Sequence, residues 1–127
     1  MAFAEPQFEL SEEDVDDRTH LIAIAGEIHV STAPRFSLLL DSAIGRGKTA
    51  VVLDLSAVEF IDSTGLSVLL NGLRRVTRQR GHMSLVCTNP TVLRLFEITR
   101  LDTTFDIHPT REGALESVQA GTNGAPG

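Results

Sequence analysis

The chain has 127 residues, with 11 basic against 17 acidic side chains, a formal charge of −6 and a single cysteine. That length holds one domain with a real core and is too short for two. An acidic balance without a basic tract argues against direct nucleic-acid binding by phosphate neutralisation, one cysteine allows no internal disulfide, and no apolar run reaches the length of a membrane span.

Residues 1–7 read as an N-terminal extension; Met1-Ala2-Phe3-Ala4-Glu5 has neither the basic nor the apolar region of an export signal, so the expected location is the cytoplasm. Phe8 to Glu13 alternates apolar and polar residues as an edge strand does, Asp16-Asp17 suits a tight turn, and Thr19 to Ala25 makes a second strand. Glu12, Glu13, Asp14, Asp16 and Asp17 form an acidic patch that reads as a solvated hairpin. Gly26 to Thr32 follows as a loop, and a hydroxyl before Ala33-Pro34 marks a helix start. Phe36, Leu39, Leu40 and Ala43 or Ile44 give that helix its apolar stripe. Gly45-Arg46-Gly47-Lys48 closes it as a connector, lacking the Gly-Lys-Ser/Thr ending of a phosphate loop.

Val51 to Leu55 is a short apolar run, the pattern of a strand covered on both faces. Across Ser56 to Gly65 the period changes, with Val58-Phe60-Ile61 leading into a helix whose stripe is Leu66, Leu69, Leu70, Leu73 and Val76. Ser67, Asn71, Arg74, Arg75 and Arg78 fall on its opposite, solvent side, and Arg80-Gly81-His82 ends it. Met83 to Cys87 is the next strand, with Cys87 a core thiol. Asn89-Pro90 opens a short helix through Phe96, and a last strand spans Phe105 to Ile107. A helix from about Thr110 to Gln119 follows, turning Ala114, Leu115 and Val118 inward, and residues 120–127 (AGTNGAPG) are expected to be a disordered tail. The result is a single α/β domain over residues 8–119, of order ββαβαβαβα, with a sheet covered mainly by helices. His20, His29, His82 and His108 fall in separate elements without metal-ligand spacing, so neither metal nor cofactor is expected.

The turn Asp62-Ser63-Thr64-Gly65 concentrates the chemistry. Asp62 or Ser63 is the natural N-cap, which puts a hydroxyl at the positive end of a helix. Ser63 as a nucleophile would need a base, for which only His29 or His108 offers itself, and the turn is not a Gly-x-Ser-x-Gly elbow. An extra residue between Ser63 and Gly65 departs from the Asp-Thr/Ser-Gly of aspartic proteases. An Asp54/Asp62 carboxylate pair is a further enzymatic possibility. Asp54 could also accept phosphate as receiver domains do, but the acidic pair and closing lysine of a receiver are missing; holding the Ser56 to Val58 loop is its simpler role. Modification of the turn hydroxyl by another protein remains, and no enzymatic activity is expected of the chain itself.

The run from Asp54 to Leu66, DLSAVEFIDSTGL, resembles the signature of STAS domains, in particular of bacterial anti-sigma factor antagonists. The likeness spans roughly Phe8 to Ala120 and includes Gly26-Glu27-Ile28 and the run Asn89 to Phe96. It implies the same element order with a mixed sheet. It also implies that Ser63 is phosphorylated by a partner that is both anti-sigma factor and serine kinase, that a phosphatase restores it, and that the unphosphorylated chain regulates sigma-dependent transcription. The partner surface so implied comprises His29, Ser31, Thr32, Asp62, Ser63, Thr64, Gly65, Leu66 and Val68; Thr64 is the lesser acceptor and Gly65 allows a close approach. One position departs from the family: His29 stands where an aspartate is common. STAS domains also serve as scaffolds or as regulatory subunits of signalling complexes and lipid transporters, acting by binding without phosphorylation, and this is the alternative reading.

Overall fold

The computed structural model describes residues 8–122. The chain runs β1 (Glu9–Asp14), β2 (Thr19–Ile28), α1 (Ala33–Gly45), β3 (Ala50–Ile61), α2 (Ser63–Arg78), β4 (His82–Val86), α3 (Pro90–Ile98), β5 (Asp106–His108) and α4 (Arg111–Thr122). This is the expected order. The five strands lie in the order β1-β2-β3-β4-β5, β1 antiparallel to β2 and the rest parallel, so the sheet is mixed.

Residues 50–55 are buried on both faces because β3 is the central strand. Val51, Leu53 and Leu55 join the large core formed with Phe36, Leu40, Leu69 and Phe96 of α1, α2 and α3. Ala50 and Val52 point the other way, into a smaller core closed by Ala114 and Val118 of α4. Three helices thus cover one face and one helix the other.

Two strands run past their expected ends. β2 continues through Gly26-Glu27-Ile28, which reads as a loop in the sequence, and β3 continues to Ile61 through Ser56 to Val58, where a loop was also expected. Parallel pairing down to Ile28 against Ile61 holds both extensions in the sheet. Each of two irregularities gives β3 one extra residue: Asp54 and Ala57 lie opposite Ala23 and Ala25, and Val58 and Phe60 opposite Gly26 and Glu27. Such bulges break the two-residue period, so the pattern looks like a loop. Gly26, at φ 102°, supplies backbone freedom beside the second bulge. At the other end, α4 runs to Thr122, into the stretch expected to be tail; residues 1–7 and 123–127 lie outside the described residues.

The acidic hairpin is not merely solvated. His20, 2% exposed, has Nδ1 2.6 Å from the Asp14 carboxylate and Nε2 2.8 Å from that of Glu12. Lys48, also buried, lies 3.3 Å from Asp14 and donates to the Asp16 and Asp17 carbonyls at 3.0 and 3.2 Å. The Glu12 and Asp14 carboxylates give the buried imidazole its polar partners, and Asp14 is also the counter-charge of the buried Lys48. The bond from His20 outweighs the opposing effect of desolvation and holds the Asp14 carboxyl below the usual range.

The inner line of α2 is Gly65, Leu69, Gly72 and Val76, while Leu66, Leu70 and Leu73 are half-buried. The contact face is therefore turned toward the glycines, where neighbours approach most closely. A Cβ at Gly72 would lie 2.5 Å from Leu40 Cδ2, so α1 and α2 meet through that position.

Candidate functional site

Ile28 and Ile61 form the last register pair of the parallel β2–β3 ladder, so the chain leaves the sheet twice at the same end, through His29 and through Asp62. Asp62 ties the two exits together. Its N–H donates to the Ile28 carbonyl at 3.0 Å. One carboxylate oxygen caps α2 by accepting from Gly65 N–H at 2.9 Å, and the other accepts from Val30 N–H at 3.1 Å. Asp62 is thus the N-cap and Ser63 the first helical residue. The Ser63 side chain is exposed, and its hydroxyl has no hydrogen-bond partner among the described residues.

The loop facing it is ordered by its own polar groups. Thr32 precedes α1 but makes no side-chain cap, contrary to expectation. Its hydroxyl donates to the Glu27 carbonyl at 2.7 Å and accepts from His29 N–H at 2.9 Å. His29 Nδ1 accepts from Ser31 N–H at 3.1 Å, and Nε2 lies 3.8 Å from the Glu27 carboxylate. The imidazole at the position where aspartate is common therefore serves as a loop acceptor.

Of the residues expected at a partner surface, Ser31 and Ser63 are exposed, and His29, Thr32, Asp62, Thr64, Leu66 and Val68 are half-buried. Gly65 lies inside. It permits a close approach, but of the core: a Cβ there would stand 2.8 Å from both Ile28 Cγ2 and Ile61 Cγ2 and 3.0 Å from the Ile28 carbonyl oxygen. The sequence reading missed Val30, which is 67% exposed and pinned to Asp62 by its amide. It also missed Phe60, 47% exposed, which borders a small apolar cavity of about 140 Å3 with Val92 and Leu95. An apolar residue between His29 and Ser31 was the only signal for the first; the bulge before Phe60 masked the second.

The groups an enzyme would need are dispersed. Asp54 lies eight residues before Asp62 on an extended strand, on the order of 25 Å away at about 3.3 Å per residue, so the two carboxylates make no pair. Asp54 accepts from Ser56 N–H and Oγ at 2.9 and 2.5 Å and from Arg111 Nε at 2.5 Å. It does hold the Ser56 segment, within a bulged strand. His108 sits on β5 with Nε2 2.9 Å from Asp106 Oδ1 but poorly aligned for a hydrogen bond, and Asp106 takes the hydroxyls of Ser84 and Ser117. His29 is held by its own loop. Among the described residues Ser63 therefore has no base in contact.

Two predictions follow from these bonds. Asp62→Ala removes the cap and the tether, and should lower stability by about 1–2 kcal/mol and speed amide exchange at Val30 and Gly65. Unchanged exchange at Val30 would contradict the tether. At Asp54, burial raises the carboxyl pKa, but the bonds from Ser56 and Arg111 outweigh it and hold it below the usual range. A carboxyl lowered on folding adds stability above its unfolded pKa and loses it as pH falls through the folded value. Arg111→Ala keeps the burial and removes a bond. The variant should lose about 1–2 kcal/mol at pH 7, discounted because Arg111 is 49% exposed, and should unfold at higher pH in an acid titration followed by circular dichroism.

Residues 12–114 match the family model for the STAS domain. The anti-sigma-B factor antagonist of Listeria monocytogenes is 34% identical over 102 residues, which is 78% of this chain and 85% of that protein. An anti-sigma factor antagonist from Mycobacterium paratuberculosis, known from its crystal structure, superposes with a TM-score of 0.80 at 32% identity, covering 89% of this chain and 95% of the other. The anti-sigma factor antagonist SpoIIAA is 25% identical in two solved forms. Its unphosphorylated form superposes at a TM-score of 0.75 over 90% of this chain and 97% of its own. Its phosphorylated form, from Bacillus, does so at 0.68 over 88% and 99%. Among the described residues no helix is long and apolar enough to cross a membrane.

Proposed function

The chain belongs to the STAS domain family, and from that premise we propose that it is an anti-sigma factor antagonist whose binding is switched at Ser63. Unphosphorylated, it captures an anti-sigma factor that is also a serine kinase, so freeing a sigma factor in the cytoplasm; phosphorylated on Ser63 it is released, and a phosphatase resets it. The observation that carries this reading is the exposed, unbonded Ser63 hydroxyl at the first position of α2, on a turn braced by Asp62 against the neighbouring loop.

Phosphorylation adds a charge of about −1.5 to −2 and three acceptor oxygens. Within the domain this is tolerated: Asp62 already occupies the amide of Gly65, while the amides of Ser63 and Thr64 and the helix dipole still favour an anion. At a protein interface the phosphate must be desolvated beside the Asp62 carboxylate, which is costly. The existence of SpoIIAA structures in both phosphorylation states on this fold supports a modification that leaves the architecture in place.

The test is intact mass and site mapping on the chain purified from its native cytoplasm with whatever partner accompanies it. A phosphate on Ser63 and a kinase partner are expected. No phosphate under any growth condition, together with a stable partner that is not a kinase, would replace this reading with the scaffold one.

A further inference from the structure

α2 carries a cluster of arginines at its other end. Its sequence, STGLSVLLNGLRRVTR, contains three arginines and no acidic residue, in a chain whose net charge is −6. At 100° per residue, Ser63, Ser67, Asn71, Arg74 and Arg78 fall within about 80° of one another, a single strip facing solvent. At about 1.5 Å per residue, Arg74 and Arg78 stand about 16 and 22 Å from Ser63 along the axis. Where this strip borders α1, Val68, Asn71 and Gly72 line a groove of about 380 Å3 with the arginines on its rim. Arg75 is paired across the groove with Asp41. Among the described residues Arg74 and Arg78 have no acidic partner.

The helix dipole explains cations in the last turn but not a groove rimmed by unpaired ones in an acidic protein. Val68, expected to be a contact beside the switch, also lines this groove. We infer that the α1–α2 groove docks an acidic segment of the protein partner, a short stretch bearing several carboxylates that lies along α2 so that one partner covers both Ser63 and the arginines. This deepens, and rests on, the switch proposed at Ser63. The two ends of α2 then divide the labour. The arginines attract and orient the partner at any phosphorylation state, and Ser63 decides whether the close contact is kept.

The experiment uses the full chain, isotope-labelled for NMR, and a synthetic helical peptide of glutamate and leucine, with its glutamine counterpart as control. The acidic peptide is expected to shift the amide signals of Asn71, Arg74 and Arg78, to bind more weakly as salt is raised, and to lose about tenfold in affinity to the Arg74→Gln/Arg78→Gln chain. The glutamine peptide is expected not to bind. Signals that move elsewhere, no binding, or equal affinity for the double variant would overturn the inference. The Ser63 switch is tested separately: peptide binding in the groove with partner capture indifferent to Ser63→Asp would reject the switch and keep the groove, and the reverse result would reject the groove alone.

Discussion

Ser63→Asp is expected to weaken capture of the anti-sigma factor at least tenfold, and full phosphorylation to weaken it about a hundredfold, while the melting temperature of the isolated chain stays where it is. A hundredfold corresponds to about 2.7 kcal/mol, within reach of one misplaced phosphate beside the Asp62 carboxylate. The aspartate carries less charge than phosphate and should fall short of the full effect. Stability is spared because Ser63 is exposed at the N-terminus of α2, where the dipole favours an anion. Ser63→Ala should bind like the unmodified chain and never be switched off. Calorimetric titration of the purified partner against the three chains, with thermal unfolding of each, separates the interface effect from misfolding. Equal affinity for Ser63→Asp and wild type would end the electrostatic account.

The second large effect falls on stability, two residues away. Gly65→Ala should cost about 1–2 kcal/mol and lower the melting temperature by several degrees. Alanine is the better helix former by about 1 kcal/mol, but the added methyl would stand 2.8 Å from two isoleucine methyls and 3.0 Å from the Ile28 carbonyl oxygen. That carbonyl is held by Asp62 N–H at 3.0 Å, so it cannot withdraw without loosening the brace of the turn. Overpacking of about 1–3 kcal/mol outweighs propensity. Gly45→Ala is the internal control: a Cβ at Gly45 meets nothing within 4 Å, so propensity acts alone and the chain should gain up to about 1 kcal/mol. If both substitutions stabilise, the packing around Gly65 is looser than described.

Much of the architecture was legible because it is written in local interactions. The apolar run at Val51, a capping oxygen at Asp62 or Ser63 and the stop at Arg80-Gly81 each act within a few residues, and they mark the central strand and both ends of α2. The turn could be singled out for the same reason, since a cap and an exposed hydroxyl need only their own neighbours. The inner face of α2 was misjudged by a fraction of a turn, because leucines dominate a hydrophobicity pattern and Gly65 and Gly72 do not register in it, although they make the closest approaches.

What the sequence by itself determined is the order of elements and the place of the turn Asp62-Ser63-Thr64-Gly65 at the start of α2. The tertiary structure decided what depends on partners far along the chain. β2 and β3 extend to Ile28 and Ile61 because each completes the other's ladder across its bulges. Asp54 meets Arg111 from 57 residues away, Val30 reaches Asp62 from 32 away, and Arg75 meets Asp41 from 34 away. Side-chain period and capping are properties of a segment; register, buried charge pairing and the groove between α1 and α2 are properties of how segments meet.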